Sequence, residues 1–252
     1  MFSDVLAFGW PALAALAAAA VVVGFAKTSF GGMGAVAVAI FALVMPAKES
    51  TATVLLLLIV GDLVAVIRYR QVNWKLLWQL VPAVVPGLLL GALFMSYVDD
   101  LTMRRTIGAL LLSMVLLQLW LRRSGAVGSA PTGGKHLGAT AGAGIAAGFT
   151  TMTANAAGPV MALYFLAQRI DKLKFIGTNA WFFALINLSK VPLAASLGLF
   201  TPEALLLDAL LIPAVLLGAA IGAWVIGRVS QRQFETVTLV ASLVASLALL
   251  LR

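Results

Sequence analysis

Apolar runs fill most of this chain, and the polar residues are confined to short intervals between them. The first run, Pro11 to Val23, is rich in Ala and Val and leads into Gly24-Phe25-Ala26-Lys27-Thr28-Ser29-Phe30-Gly31-Gly32-Met33-Gly34. A second run, Ala35 to Met45, leads out and stops at Pro46. Crossing a bilayer core takes about 20 apolar residues, whereas runs of about 10–14 suggest a buried or re-entrant segment. The stretch Pro11 to Met45 therefore reads as a hairpin that dips into a membrane and turns there. A turn at that depth is tolerated only inside protein or along a cavity, because its amides need partners.

Further segments follow in order. A polar turn is expected at 46–50, then an apolar run from Thr51 to Ile67 that contains Asp62. A basic loop from Arg68 to Lys75 precedes a span from Leu76 to Tyr97, a loop at 99–105 and a fifth segment from Thr106 to Leu121. Residues 122–136 are rich in Gly and Ser and read as a linker. The pattern then returns. Gly148, Gly158, Phe165 and Lys172 stand 124 residues after Gly24, Gly34, Phe41 and Lys48. Pro82, Gly87 and Gly91 recur 131 residues later as Pro213, Gly218 and Gly222. Three units are thus expected: a first transmembrane repeat at 1–121, a linker at 122–136 and a second repeat at 137–252.

Composition makes the class firm. Of 252 residues, 62% are hydrophobic and 10% charged, against about 25% charged in a soluble domain. The chain reads as an all-α polytopic membrane protein with five apolar segments per repeat. The first two of each repeat are candidates for a re-entrant hairpin. Cysteine is absent and His136 is the single histidine, so neither a thiolate nor a His-based metal centre is expected, and no cofactor is implied. The net charge of +8 is read as a loop bias rather than as a nucleic-acid footprint. An odd number of segments per repeat points the two halves opposite ways, the arrangement of many secondary transporters. With the N-terminus outside, Arg68, Arg70, Lys75, Arg122, Arg123, Lys135, Arg169, Lys172, Lys174, Arg228 and Arg232 fall inside. Lys48, Arg104, Arg105 and Arg252 fall outside. That asymmetry predicts both termini on the outer, periplasmic side.

The glycine-rich stretch Gly24 to Gly32, the second copy of the half and the Pro-x4-Gly-x3-Gly helix in each copy resemble the sulfite exporter TauE/SafE family. The resemblance covers essentially the whole chain. It implies a bacterial inner-membrane permease of sulfite, organosulfonates or related anions, and no enzymatic activity. The second bend, Thr150 to Gly158, departs from the first: it lacks the lysine and the paired glycines.

Candidate anion ligands are Lys27, Thr28, Ser29, Thr151, Thr153 and Asn155. Against each hydroxyl stands the reading that it only satisfies the bend's own backbone. Amides at Gly31, Gly32 and Gly34 would open the following half-helix and present N–H groups to an anion. Asp62 is a candidate proton site or lysine partner; the bland alternative pairs it with Arg68. Lys190 is a second candidate for that role, or snorkels at the outer end. Asn179 and Asn187 are candidate polar contacts from the second half. Gly87, Gly91, Gly218 and Gly222 are expected to let helices approach closely, and Trp74 and Trp78 to sit at an interface. The expected partners are a small sulfur oxyanion and the lipid bilayer, with a homodimer as one candidate assembly. The rival readings are an anion channel, a permease of another organic anion, an intramembrane enzyme and a non-transporting subunit.

Overall fold

The computed structural model describes residues 9–29, 34–124, 137–167, 172–225 and 231–251. Among these the chain forms ten helices and no strand. They are α1 (Trp10–Thr28), α2 (Gly34–Val44), α3 (Ala47–Arg68), α4 (Trp74–Tyr97), α5 (Asp100–Ser124), α6 (Leu137–Ala154), α7 (Gly158–Ala167), α8 (Lys172–Ser196), α9 (Pro202–Val225) and α10 (Gln231–Leu251). Helices α1, α3, α4 and α9 are long and apolar enough to cross a bilayer by length and composition. The chain is an all-α polytopic membrane protein. Helices α2 and α7 span only 11 and 10 residues, too few to cross. Helix α1 is longer than a half-depth segment, at 19 residues.

The polar stretches expected as loops at 46–50 and 99–105 are instead largely the first turns of α3 and α5. Their ends explain why. Pro46 stands at the N-cap of α3, and Glu49 lies in its first turn, where a carboxylate suits the helix dipole. Asp99 caps α5 by accepting from the Thr102 amide at 2.8 Å. Asp100 accepts from the Lys48 amide at 3.1 Å and so ties the two helix starts together. Hydrogen bonds from Thr102 hold the exposed Asp99 carboxyl below the usual carboxylate range. Helix α5 runs on to Ser124, so the expected boundary at 121/122 falls within a helix. Residues 125–136, His136 included, lie outside the described residues.

Close contacts through glycine set the packing. A Cβ on Gly24 would lie 1.9 Å from the Val215 carbonyl of α9, and one on Gly218 would lie 2.0 Å from the Val21 carbonyl of α1. The same contacts occur between α4 and α6. There a Cβ on Gly148 would meet the Val84 carbonyl at 2.3 Å, and one on Gly87 would meet the Ile145 carbonyl at 2.2 Å. The partners Val84 and Val215 are 131 residues apart, and Val21 and Ile145 are 124 apart. The offsets read from sequence thus relate the contacts as well. Only residues without a Cβ allow backbones this close. Helix α3 is the most buried of the four long apolar helices, and α8 packs beside it. The outer faces carry exposed leucines, among them Leu89, Leu90, Leu93, Leu216 and Leu217, as a lipid-facing surface requires.

Candidate functional site

The site is built where α1 and α6 end. At the first break Ser29 donates its hydroxyl to the Phe25 carbonyl at 2.6 Å. Thr28 donates to the Ala219 carbonyl of α9 at 2.7 Å. The Thr28 carbonyl in turn accepts from the Tyr69 hydroxyl at 2.9 Å. The last turn of α1 is therefore pinned to α9 and to the segment after α3. At the second break Thr153 donates to the Phe149 carbonyl at 2.8 Å. The hydroxyl protons of Thr28, Ser29 and Thr153 are committed to backbone carbonyls in this state. For these three the backbone-satisfying reading describes the geometry.

Lys27 behaves differently. Its stem crosses Gly61 of α3, where an added Cβ would come within 2.8 Å of the lysine Cγ. Its ammonium reaches Asp62 Oδ1 at 2.5 Å and lies 4.9 Å from the centroid of the Phe183 ring. Asp62 is 1% exposed, and its other oxygen accepts from Asn187 Nδ2 at 2.6 Å. Asn187 presents its Oδ1 to Lys190 Nζ at 3.4 Å. Its amide orientation follows from these neighbours, since only the NH2 end can serve a carboxylate and only the oxygen can serve an ammonium. Lys190 is also 1% exposed. It donates to Asn155 Oδ1 and lies 3.4 Å from Thr151 Oγ1. Asn155 closes the line by donating to the Thr51 carbonyl of α3 at 3.0 Å.

Asn155 stands directly after α6 with φ 49°. Asn is among the few side chains that tolerate this left-handed conformation. The conformation turns the chain between α6 and α7 and leaves the carboxamide free to face Lys190.

The network thus runs Lys27–Asp62–Asn187–Lys190–Asn155 and joins the two breaks. Along α3 it extends from Asp62 to Thr51, a rise of about 16 Å. With its ionisable members charged it holds two cations and one anion. Six of the expected site residues meet here: Lys27, Asp62, Thr151, Asn155, Asn187 and Lys190. Asp62 takes Lys27 as its partner rather than Arg68. Lys190 is buried rather than snorkelling, because Asn155, Asn187 and Thr151 supply the contacts that water would otherwise give. Asn179 is half-buried on α8, two turns before Asn187, and takes no part in the network. Gly31 and Gly32 lie outside the described residues; Gly34 opens α2, and Gly158 opens α7.

The model of the sulfite exporter TauE/SafE family matches residues 16–249. The chain belongs to this family. No curated protein and no solved structure matches it. As a TauE/SafE protein it is a membrane transporter, and the family is one of transporters rather than enzymes. In this TauE/SafE chain the whole polar line falls inside the matched region. Two features escaped the sequence reading. Gly61 had a signal in its position beside the intramembrane Asp62. Asp208 is the single acid inside the apolar run from Ala204 to Val225, and it is buried.

Proposed function

We propose that the chain exports sulfite or a related small sulfur-containing anion across the bacterial inner membrane, by alternating access between its two repeats, 1–121 and 137–252. The observation that carries this reading is the polar line between the two helix breaks, which brings two lysines and one carboxylate together inside the bundle. A charged side chain within a membrane bundle is costly and faces a partner or a cavity. With all three groups ionised, Lys27 and Asp62 neutralise each other, whereas among the described residues Lys190 bonds to neutral oxygens alone. A small monoanion would supply the missing charge. The N-termini of α2 and α7, opening at Gly34 and Gly158, would add backbone N–H groups and positive dipole ends. Thr28, Ser29 and Thr153 would then hold the breaks, and Asn179 would lie outside the site.

The repeated contacts, α1 on α9 and α6 on α4, support two structurally equivalent halves that rock against each other about a site between them. The charge bias of the loops supports periplasmic termini.

The test is flux into proteoliposomes of the purified protein, comparing sulfite, sulfate and a small organosulfonate. Saturable flux of sulfite or the sulfonate is expected, falling at least about tenfold in Lys190→Ala and in Lys27→Ala, since each removes a lysine of the polar line that an anion would meet. Folded protein that moves no sulfur anion would overturn the substrate assignment. Non-saturating flux would replace the carrier with a channel.

A further inference from the structure

A second buried polar feature lies away from the network, on α9. Asp208 is 5% exposed, and among the described residues neither of its carboxylate oxygens has a hydrogen-bond partner. It lines a groove of about 200 Å³ whose other walls are Leu56, Leu57 and Val60 of α3 and Leu205, Ala209 and Ile212 of α9. Leu205 and Ile212 are exposed on the outer side of α9, so the groove opens toward lipid. Thr53 lies on the same face of α3 as Leu57 and Val60. It is fully buried, and its hydroxyl oxygen is likewise unpartnered.

Packing does not call for an acid at this position. The residue 131 places earlier, at the offset that relates Pro82 to Pro213, is Leu77 of α4, which is buried and apolar. Helices α1 and α3 are the ones packed most closely against α9. The charged residue of α1 is Lys27, held by Asp62. Those of α3 are Lys48 and Glu49 in its first turn, Asp62 in the network and Arg68 in its last turn. Helix α9 itself adds Glu203 in its first turn. None of these bonds to Asp208. An ionised carboxylate here would lack both a counter-charge and a donor, and burying an isolated ion costs far more than burying a neutral acid. The apolar walls also lack the six to eight oxygen ligands typical of a hard cation such as calcium.

We propose that Asp208 is a proton-binding site: it holds a proton in this conformation and exchanges it in another state of the cycle, so that anion movement is coupled to a proton. The role of the proton rests on the transporter reading; its binding at Asp208 does not.

A hydrophobic carbodiimide, dicyclohexylcarbodiimide, separates the two. It partitions into lipid and reacts with protonated carboxyl groups. The acid O–H adds across one C=N bond, its proton going to nitrogen and its oxygen to carbon. An acyl shift from oxygen to nitrogen then gives a stable N-acylurea with no leaving group. In liposomes of the full-length protein, the peptide bearing Asp208 is expected to gain one reagent mass, more at acidic than at alkaline pH. Asp208→Asn is expected to lose that adduct. Absence of the adduct on Asp208 at every pH, while Glu49 or Glu203 is modified, overturns the proposal. In sulfite-loaded proteoliposomes, Asp208→Asn is expected to lower the ratio of pH-gradient-driven accumulation to equilibrium exchange by about tenfold or more, and Asp208→Glu to restore it. An unchanged ratio in Asp208→Asn removes the coupling. Wild-type protein that moves no sulfur anion counts against the transport reading alone, and the adduct still decides the proton site.

Discussion

Lys27 and Asp62 meet at 2.5 Å across the face of Gly61, bringing the end of α1 onto the middle of α3. The pair is the junction between the first helix break and the rest of the polar line.

Breaking one side of this pair leaves the other ion without its charge partner. Lys27→Met is expected to destabilise the protein by about 3–5 kcal/mol, the range for removing one member of a buried pair. Lys27→Met with Asp62→Asn should recover most of that loss. Thermal unfolding of the purified single and double variants in detergent measures the difference. Equal loss in both would mean that the pair is not coupled.

Gly61→Ala tests the path of the lysine stem. The new methyl would stand 2.8 Å from Lys27 Cγ, so the side chain must shift. Alanine is the better helix former by about 1 kcal/mol, which works against any loss of stability. Retained thermal stability with a half-saturation concentration raised about tenfold, close to 1.4 kcal/mol of binding, is the expected result for sulfite flux.

Asn155→Asp places a carboxylate beside Lys190 and cancels the excess charge. Backbone strain is kept low, because Asp also tolerates a positive φ. Anion affinity should fall at least about tenfold, whereas Asn155→Gly keeps the charge and should lose less. The half-saturation constants of the two variants, measured side by side, decide whether charge or shape governs the site.

The glycine contacts predict a sharp positional contrast. Gly24→Ala and Gly148→Ala force a methyl to within 1.9 and 2.3 Å of a facing carbonyl, and overpacking costs about 1–3 kcal/mol or more. Gly34→Ala meets nothing within 4 Å and should be close to neutral. Folded yield and unfolding midpoint across the three variants are the measurements.

Asp99 gives a pH dependence outside the membrane. Its carboxyl is held low by Thr102, so the ionised cap favours the folded state at neutral pH. That contribution is present above the unfolded carboxylate value and fades as pH falls through the lowered folded one. Asp99→Ala should therefore be less stable than wild type near neutrality, and the gap should close in acid. A gap independent of pH would assign the effect to something other than the ionised cap.

Much of this was legible in the sequence. Helical class, the short second helix, the offsets of 124 and 131 and the close-packing role of Gly87 and Gly218 all follow from periodicity and small-residue spacing. The break at Thr28–Gly34 was marked by its glycines. Helix starts at Ala47 and Asp100 were missed because capping residues and acidic first turns look like loops when read by polarity alone. Lys27, Asp62 and Lys190 stood out as ions in apolar runs, but their partners did not. Asp62 could have paired with Arg68, one helical face away on the same helix. Only the packing of α8 against α3 puts Asn187 between the two lysine-bearing ends. Asp208 was passed over because a single acid among leucines carries no motif; its meaning lies in the lack of a donor around it.

The bond from Thr28 to Ala219 spans 191 residues, which sets an order of events during synthesis. The end of α1 enters the membrane with no α9 to receive it. At about 5–20 residues per second, the wait is on the order of 10–40 s. Over that interval Lys27, Gly24 and the open break must be held by Asp62, by lipid headgroups or by the insertion machinery. A nascent chain stopped before Pro202 would keep its first helix unclasped.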